Sequence, residues 1–312
     1  MAIITNTFLT FSAIGNREDL SDEIYNISPT DTPFMGNIGK TKASAVLHEW
    51  QSDTLAAAAA NAQLEGDDHT SFAAVTVTTR LVNRCQISSK DVIVSGTQDA
   101  VAKAGRKREM VYQMLLRSKE LKRDMEFVLT NNQAPVTGNS TTARALRPLC
   151  SWYATNDSRG AGGADGTTST AATDGTQRAL TEALFKTVLQ NCWVAGGEPD
   201  LAMPGAFNKT VISGFTGNAT RLDRSEDKKL TAAIDVYESD FGTIKIVANR
   251  FSRSRDLHVL DTSLWAVSYL RPMHTVDLAK TGDAEKGLVQ AEYTLESRNE
   301  AGSGIVADLT TS

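Results

Sequence analysis

With 312 residues, 41% of them hydrophobic and 22% charged, the chain is long enough for one large soluble domain or two ordinary ones. No apolar run approaches the roughly 20 residues that span a bilayer, and the N-terminus has no basic region followed by an apolar block and a cleavage site, so the chain reads as made and used without export. A formal charge of −5, from 32 basic and 37 acidic residues, excludes a protein that grips nucleic acid through a basic footprint, although a container that holds a polyanion without adhering to it is compatible with that charge.

Residues 1–43 read as an arm. Its apolar anchors are scattered (Phe8, Phe11, Ile14, Leu20, Ile24, Tyr25), and Ser28-Pro29 and Thr32-Pro33 are turn punctuation. A short helix is expected over residues 16–25, with Asn16 as cap and Glu18 and Asp19 in its first turn. Next come two strand-like segments, 45–50 and 73–87. The stretch between them, residues 51–72, holds six alanines and only three large apolar residues, Leu55, Leu64 and Phe72. An isolated two-stranded ribbon of this kind removes too little apolar surface from water to offset its ordering entropy. It is expected to fold against a neighbour.

Ser95 and Gln98 have capping-box spacing, and Val111, Met114, Leu115, Ser118, Leu121, Met125, Val128 and Leu129 form one stripe at the helical period. The pattern predicts a helix over 97–131, about 50 Å long, with Gly105 as a weak point and Asn131, Asn132 and Pro135 as the stop. Residues 154–177, rich in glycine, serine and threonine, read as a surface loop. A second amphipathic helix (Leu180, Leu184, Val188, Leu189, Cys192) ends at Gly196-Gly197. Residues 232–237 and 243–249 flank a turn as a β-hairpin, and further strands are expected at 257–260, 265–270 and 288–295. The class is α+β.

No catalytic signature emerges. Gly36-Asn37-Ile38-Gly39-Lys40-Thr41 resembles a phosphate-binding loop, but that motif requires a glycine at position 34, where Phe34 stands, and no strand precedes it. The four histidines (His48, His69, His258, His274) have no ligand-type spacing, and Cys85, Cys150 and Cys192 form no Cys-x-x-Cys pair, which argues against zinc and disulfides alike. Asp67-Asp68-His69 lacks the glycine and final glutamate of an EF-hand loop. No nucleophile elbow or zinc-protease motif is present, so neither a catalytic residue nor a cofactor is expected.

Residues 97–131 carry eight basic and five acidic side chains, including Arg106-Lys107-Arg108, Arg117, Lys119, Lys122 and Arg123. A solvated, ion-paired helix face is the plain reading. The alternative is an intersubunit seam, because residues 43–79 contain no Lys or Arg but do contain Glu49, Asp53, Glu65, Asp67 and Asp68. Exposed ion pairs contribute about 0 to 1 kcal/mol each, so such a seam would register assembly more than drive it.

Several blocks then carry a resemblance. Residues 15–22 (GNREDLSD), 25–35 (YNISPTDTPFM), 62–66 (AQLEG), 93–98 (IVSGTQ), 119–126 (KELKRDME), 216–221 (TGNATR) and 293–299 (YTLESRN) resemble the major head proteins of tailed bacteriophages of the SU-ten type. The resemblance spans the chain and implies the Hong Kong 97-type capsid fold. It implies an N-terminal arm at 1–43, an extended loop at 44–88, a peripheral domain at 89–144 with a spine helix at about 95–132, an axial domain at 145–265, and return strands with the C-terminus at 266–312. It further implies a self-assembling shell of hexamers and pentamers with a portal at one vertex, a separate scaffold or a cement protein as further partners, and packaged double-stranded DNA enclosed without sequence-specific binding.

One departure matters. Some capsids of this fold crosslink through a lysine on the extended loop, whereas no lysine occurs between Lys42 and Lys90, so noncovalent overlap is expected. The family also gives no clear sign of a removable scaffolding domain at the N-terminus. The candidate assembly residues are Phe8, Phe11 and Arg17 in the arm, Trp50, Leu55, Leu64 and Phe72 in the loop, and Arg106, Lys107, Arg117 and Arg123 on the helix. Three rivals remain at this point: an encapsulin-like cargo compartment, a nucleotide-dependent enzyme using Lys40 and Thr41, and a β-rich tail or decoration protein.

Overall fold

The structure, a computed structural model, describes residues 29–53, 55–63, 65, 66, 68, 72, 74, 75, 77–101, 108–215 and 235–312. Phe8, Phe11, Arg17, Leu64, Arg106, Lys107, Gly105 and the short helix expected at 16–25 lie outside these residues.

The described chain enters through α1 (Pro33–Asn37) and β1 (Gly39–Lys42). Proline at the first helical position suits α1, since its missing N–H needs no partner there. The backbone N–H groups of Phe34 and Met35 donate to the Glu126 carboxylate, at 2.7 and 2.9 Å. The Gly36 and Ile38 N–H groups are taken by the Thr32 and Phe34 carbonyls, at 3.0 and 3.2 Å. Gly39-Lys40-Thr41 continues as a strand beside β10 (Trp265–Leu278), which rules out a phosphate cradle.

Two strands then make a ribbon, β2 (Leu47–Ser52) and β3 (Thr79–Arg84), antiparallel from Leu47 opposite Arg84 to Ser52 opposite Thr79. The single strand expected at 73–87 is thus shorter and breaks at Cys85, whose N–H turns to the Val46 carbonyl at 2.8 Å. Beyond the break, β4 (Gln86–Ser95) joins a four-stranded sheet in the order β1-β10-β11-β4, with β11 spanning Ala284–Ser297. Strands β10 and β11 each run 14 residues, well past the expected 265–270 and 288–295. Their far ends carry Arg271, Asp277, Glu285 and Lys286, so strand pairing extends where apolar alternation stops.

The predicted single helix is two. Ser95 caps α2 (Gly96–Ala100) by accepting from the Gln98 N–H, as its spacing implied, but Val101 is extended and ends it. The long helix α3 (Glu109–Thr130) then starts anew, its first N–H donating to Asp99 Oδ1 at 2.8 Å. Twenty-two residues give a rod of about 33 Å. Leu121, Met125 and Leu129 bury its C-terminal half against Val289, Ala291 and Tyr293. At its N-terminal half Gly287 lets the sheet approach closely, since a Cβ there would lie 2.7 Å from the Met110 Cε.

A second, six-stranded sheet has the order β5-β12-β9-β6-β8-β7: β5 Asp157–Ser158, β6 Leu201–Met203, β7 Val236–Ser239, β8 Gly242–Ile246, β9 Leu257–Leu260 and β12 Gly304–Val306. Helices α4 (Glu182–Val194) and α5 (Ala206–Ser213) cover it through Phe185, Val188, Leu189 and Ile212. Thr181 caps α4 by accepting from the Leu184 N–H. The chain thus gives β10 and β11 to the first sheet and β12 to the second.

The glycine-rich segment 154–177 is held more firmly than its composition suggests. Asp308 accepts from the Gly160 and Gly175 N–H groups and from Arg255, and Asp174 accepts both from Arg253 and from Arg255. Glu126, buried on α3, also accepts from Asn249 Nδ2 at 2.7 Å, so one carboxylate joins the arm root, the long helix and the chain leaving β8. Burial pushes its pKa above the ordinary carboxylate value despite these three donors.

Candidate assembly interface

The ribbon is anchored at its root. Along β2, His48 and Trp50 turn toward the body while Glu49 and Gln51 face solvent, the two-residue alternation of a strand. The Trp50 indole N–H donates to the Ser297 carbonyl at 2.7 Å, and its ring lies 5.6 Å from that of Trp152. The Arg147 guanidinium covers Trp152 at 4.1 Å, a cation–π contact; burial pushes the Arg147 pKa down to about 10. Asn83, opposite His48, donates to the Leu295 and Arg147 carbonyls and accepts from the Arg147 N–H. His48 Nε2 lies 3.2 Å from Glu296 Oε2, which also accepts from Thr41 and Ser268. Burial raises the Glu296 pKa, but these hydrogen bonds, with Arg298, outweigh it and leave the carboxyl below its ordinary value.

Past Ser52 the environment inverts. Every described residue of 53–78 is exposed, and its large apolar side chains are almost wholly in solvent: Leu55 99%, Phe72 87%, Val75 94%, Val77 89%. Gly66 turns the tip at φ 82°, a conformation that glycine adopts without strain. Asp53, Glu65 and Asp68 make the described part of the loop acidic.

The long helix has an exposed face of its own. Val111 and Leu115, one turn apart, continue the buried stripe but are exposed, as is Phe127 on another side. Arg117 pairs with Glu120 at 2.7 Å, and Lys90 holds Asp124 at 2.7 Å. Lys119, Lys122 and Arg123 make no ion pair among the described residues. The helix is therefore partly paired within the subunit and basic beyond that.

Of the sequence-predicted candidates, Leu55 and Phe72 share the exposed tip, Arg117 and Arg123 share the helix, and Trp50 lies at the root, packed within its own subunit. The ion pair between Glu49 and Arg80 is also internal. Val75 and Val77 fall within the strand expected at 73–87, where Val-Thr-Val-Thr has the pattern of a half-buried strand, but among the described residues neither is paired in a strand. Asn83 was missed, and its only local signal is an asparagine in a strand, where that residue is uncommon.

A family model described as SU10 major capsid protein matches residues 3–310. A relative named "Major capsid protein", from Escherichia phage Phieco32, is 26% identical, covering 96% of each chain. Among solved structures, the "Cyanophage A-1(L) capsid asymmetric unit" superposes with a TM-score of 0.66 at 14% identity, over 97% of this chain and 99% of that one. The "Capsid of native GTA particle computed with C5 symmetry" gives 0.64 at 8% identity, over 96% and 98%. The fold is the Hong Kong 97-like one.

Proposed function

The chain belongs to the SU10 major capsid protein family, and from that premise we propose that the loop tip overlies a neighbouring copy in a shell held together without covalent crosslinks. It is a major capsid protein of tailed bacteriophages, a structural family and not an enzyme class. The encapsulin-like reading is not favoured, since the relatives are phage capsid proteins.

The observation that carries the proposal is the run of apolar side chains at 53–78 left in water by a ribbon whose root is fixed to the core. Each limb of about fourteen residues, at roughly 3.3 Å apiece, reaches on the order of 45 Å, enough to lie across an adjacent subunit. Its acidic character suits a neighbour's Lys119, Lys122 and Arg123. An arm and a loop that together bury a standard interface of about 1,600 Å² make a closed shell cooperative even when single contacts are weak.

In this reading residues 1–43 are the arm and 44–88 the extended loop. The four-stranded sheet with α3 forms the peripheral domain, and the six-stranded sheet forms most of the axial domain, with β12 added from the C-terminus. Copies associate as hexamers and pentamers in the host cytoplasm, with a portal at one vertex and a scaffold or cement protein as auxiliary partners. Packaged double-stranded DNA is enclosed by proximity. No helix among the described residues is long and apolar enough to cross a membrane.

The test is electron microscopy of the full-length protein, expressed alone and with a cognate scaffold and portal. Closed shells in either preparation support the reading; a small oligomer of fixed size in both would overturn it.

A further inference from the structure

Away from the loop, the junction between α3 and the six-stranded sheet buries a side-chain cluster that shell building does not explain. Cys150 sits in a tight turn at Leu149–Ser151, its Sγ 3.3 Å from the Thr130 carbonyl at the end of α3. Asp256 directly precedes β9 and His258 lies within it. Sγ lies 3.5 Å from Asp256 Oδ2 and 4.0 Å from His258 Nε2, and all three residues are buried.

Thiolate, carboxylate and imidazole form a donor set suited to zinc. With zinc–ligand bonds of about 2.0–2.3 Å, the donor–donor edges of a tetrahedral site run about 3.5 Å. The Cys150–Asp256 separation already matches that edge, and the Cys150–His258 separation exceeds it by about 0.5 Å. Asp256 Oδ1 and His258 Nδ1 are buried without a hydrogen-bond partner, a costly arrangement for groups of this kind. Tyr153 stacks on His258 at 5.8 Å and fixes the ring plane, and burial holds the imidazole neutral, its pKa pushed down to about 3.

The arginines around the cluster are held by aspartates. Arg253 pairs with Asp256 and Asp174, Arg255 with Asp174 and Asp308, and Arg159 with Asp157 and Asp165. Arg253 occupies Asp256 Oδ2 at 3.1 Å, which leaves Oδ1 as the free carboxylate oxygen.

We propose that Cys150, Asp256 and His258 bind a zinc ion, with the Thr130 carbonyl or a water as fourth ligand, pinning the C-terminal end of α3 to the six-stranded sheet. Binding displaces the Cys150 thiol proton to solvent.

The test uses the full-length protein, purified without chelators and dialysed, with zinc content measured by mass spectrometry and cobalt(II) as an optical probe. One zinc per chain is expected, together with a thiolate-to-cobalt charge-transfer band. Cys150→Ser abolishes the band and weakens zinc binding at least about a hundredfold, while Cys192→Ser leaves both unchanged. If Cys150→Ser does not fold, the wild-type band and its displacement by zinc decide. A folded wild-type protein that retains no zinc and gives no thiolate band overturns the proposal, as does zinc retained equally by a folded Cys150→Ser variant.

Discussion

The root and the tip of one ribbon have opposite environments. At the root, Trp50, Asn83 and His48 are joined to Ser297, Leu295 and Glu296, 212 to 248 residues later in the chain. At the tip, Leu55, Phe72, Val75 and Val77 meet solvent. The root sets where the loop points; the tip creates the demand for a partner. In the proposed assembly the tip is the part that a neighbouring copy covers.

The largest effect should come from separating the two. Replacing residues 54–77 by an Asn-Gly turn joins Asp53 to Thr78 and keeps Ser52 opposite Thr79 in the root register. The variant is expected to keep its far-UV circular dichroism and to lose shell formation altogether in sedimentation. Next, Trp50→Ala removes a ring from a partly buried aromatic stack together with an indole hydrogen bond, a loss of about 3 kcal/mol in urea unfolding of the unassembled subunit. By contrast, Phe72→Ser at the tip should change that unfolding by less than about 0.5 kcal/mol while raising the subunit concentration needed for assembly. A tip substitution as destabilising as the root one would erase the distinction.

The smallest effect concerns pH. Because Glu296 has a folded pKa below 4.5, the stability it contributes at the root is complete above about pH 4.5 and is lost as pH falls through the folded value. Glu296→Gln should flatten that acid limb of the stability curve. Glu126 has the opposite sign: its pKa lies above 4.5, so between 4.5 and that higher value stability falls as pH rises, and Glu126→Gln should remove this slope. Unfolding curves at several pH values check both.

The sequence made the ribbon legible because a run of alanines between two strand-like segments has nothing to bury. The capping box at Ser95 and strand 257–260 were equally plain, since both are local patterns. What escaped it depends on distant partners. Trp50 reads as an apolar anchor from its strand alone, and only the fold brings Trp152 and Ser297 beside it. The long ends of β10 and β11 lack apolar alternation because they are secured by pairing with each other, and in β11 with β4. The single helix expected over 97–131 joins the capping box at Ser95 to the stripe that starts at Val111, while the Asp99 cap that starts α3 separately is a contact between two helices that neither local pattern shows. The cluster of Cys150 with Asp256 and His258 spans more than a hundred positions, beyond any spacing rule.

The most direct measurement is a cryo-electron microscopy map of the assembled particle in which side chains are visible. The account predicts that Leu55, Phe72, Val75 and Val77 are buried against an adjacent copy, with the acidic tip near its Lys119 and Lys122. A tip that remains in solvent, or folds back onto its own subunit, would contradict it.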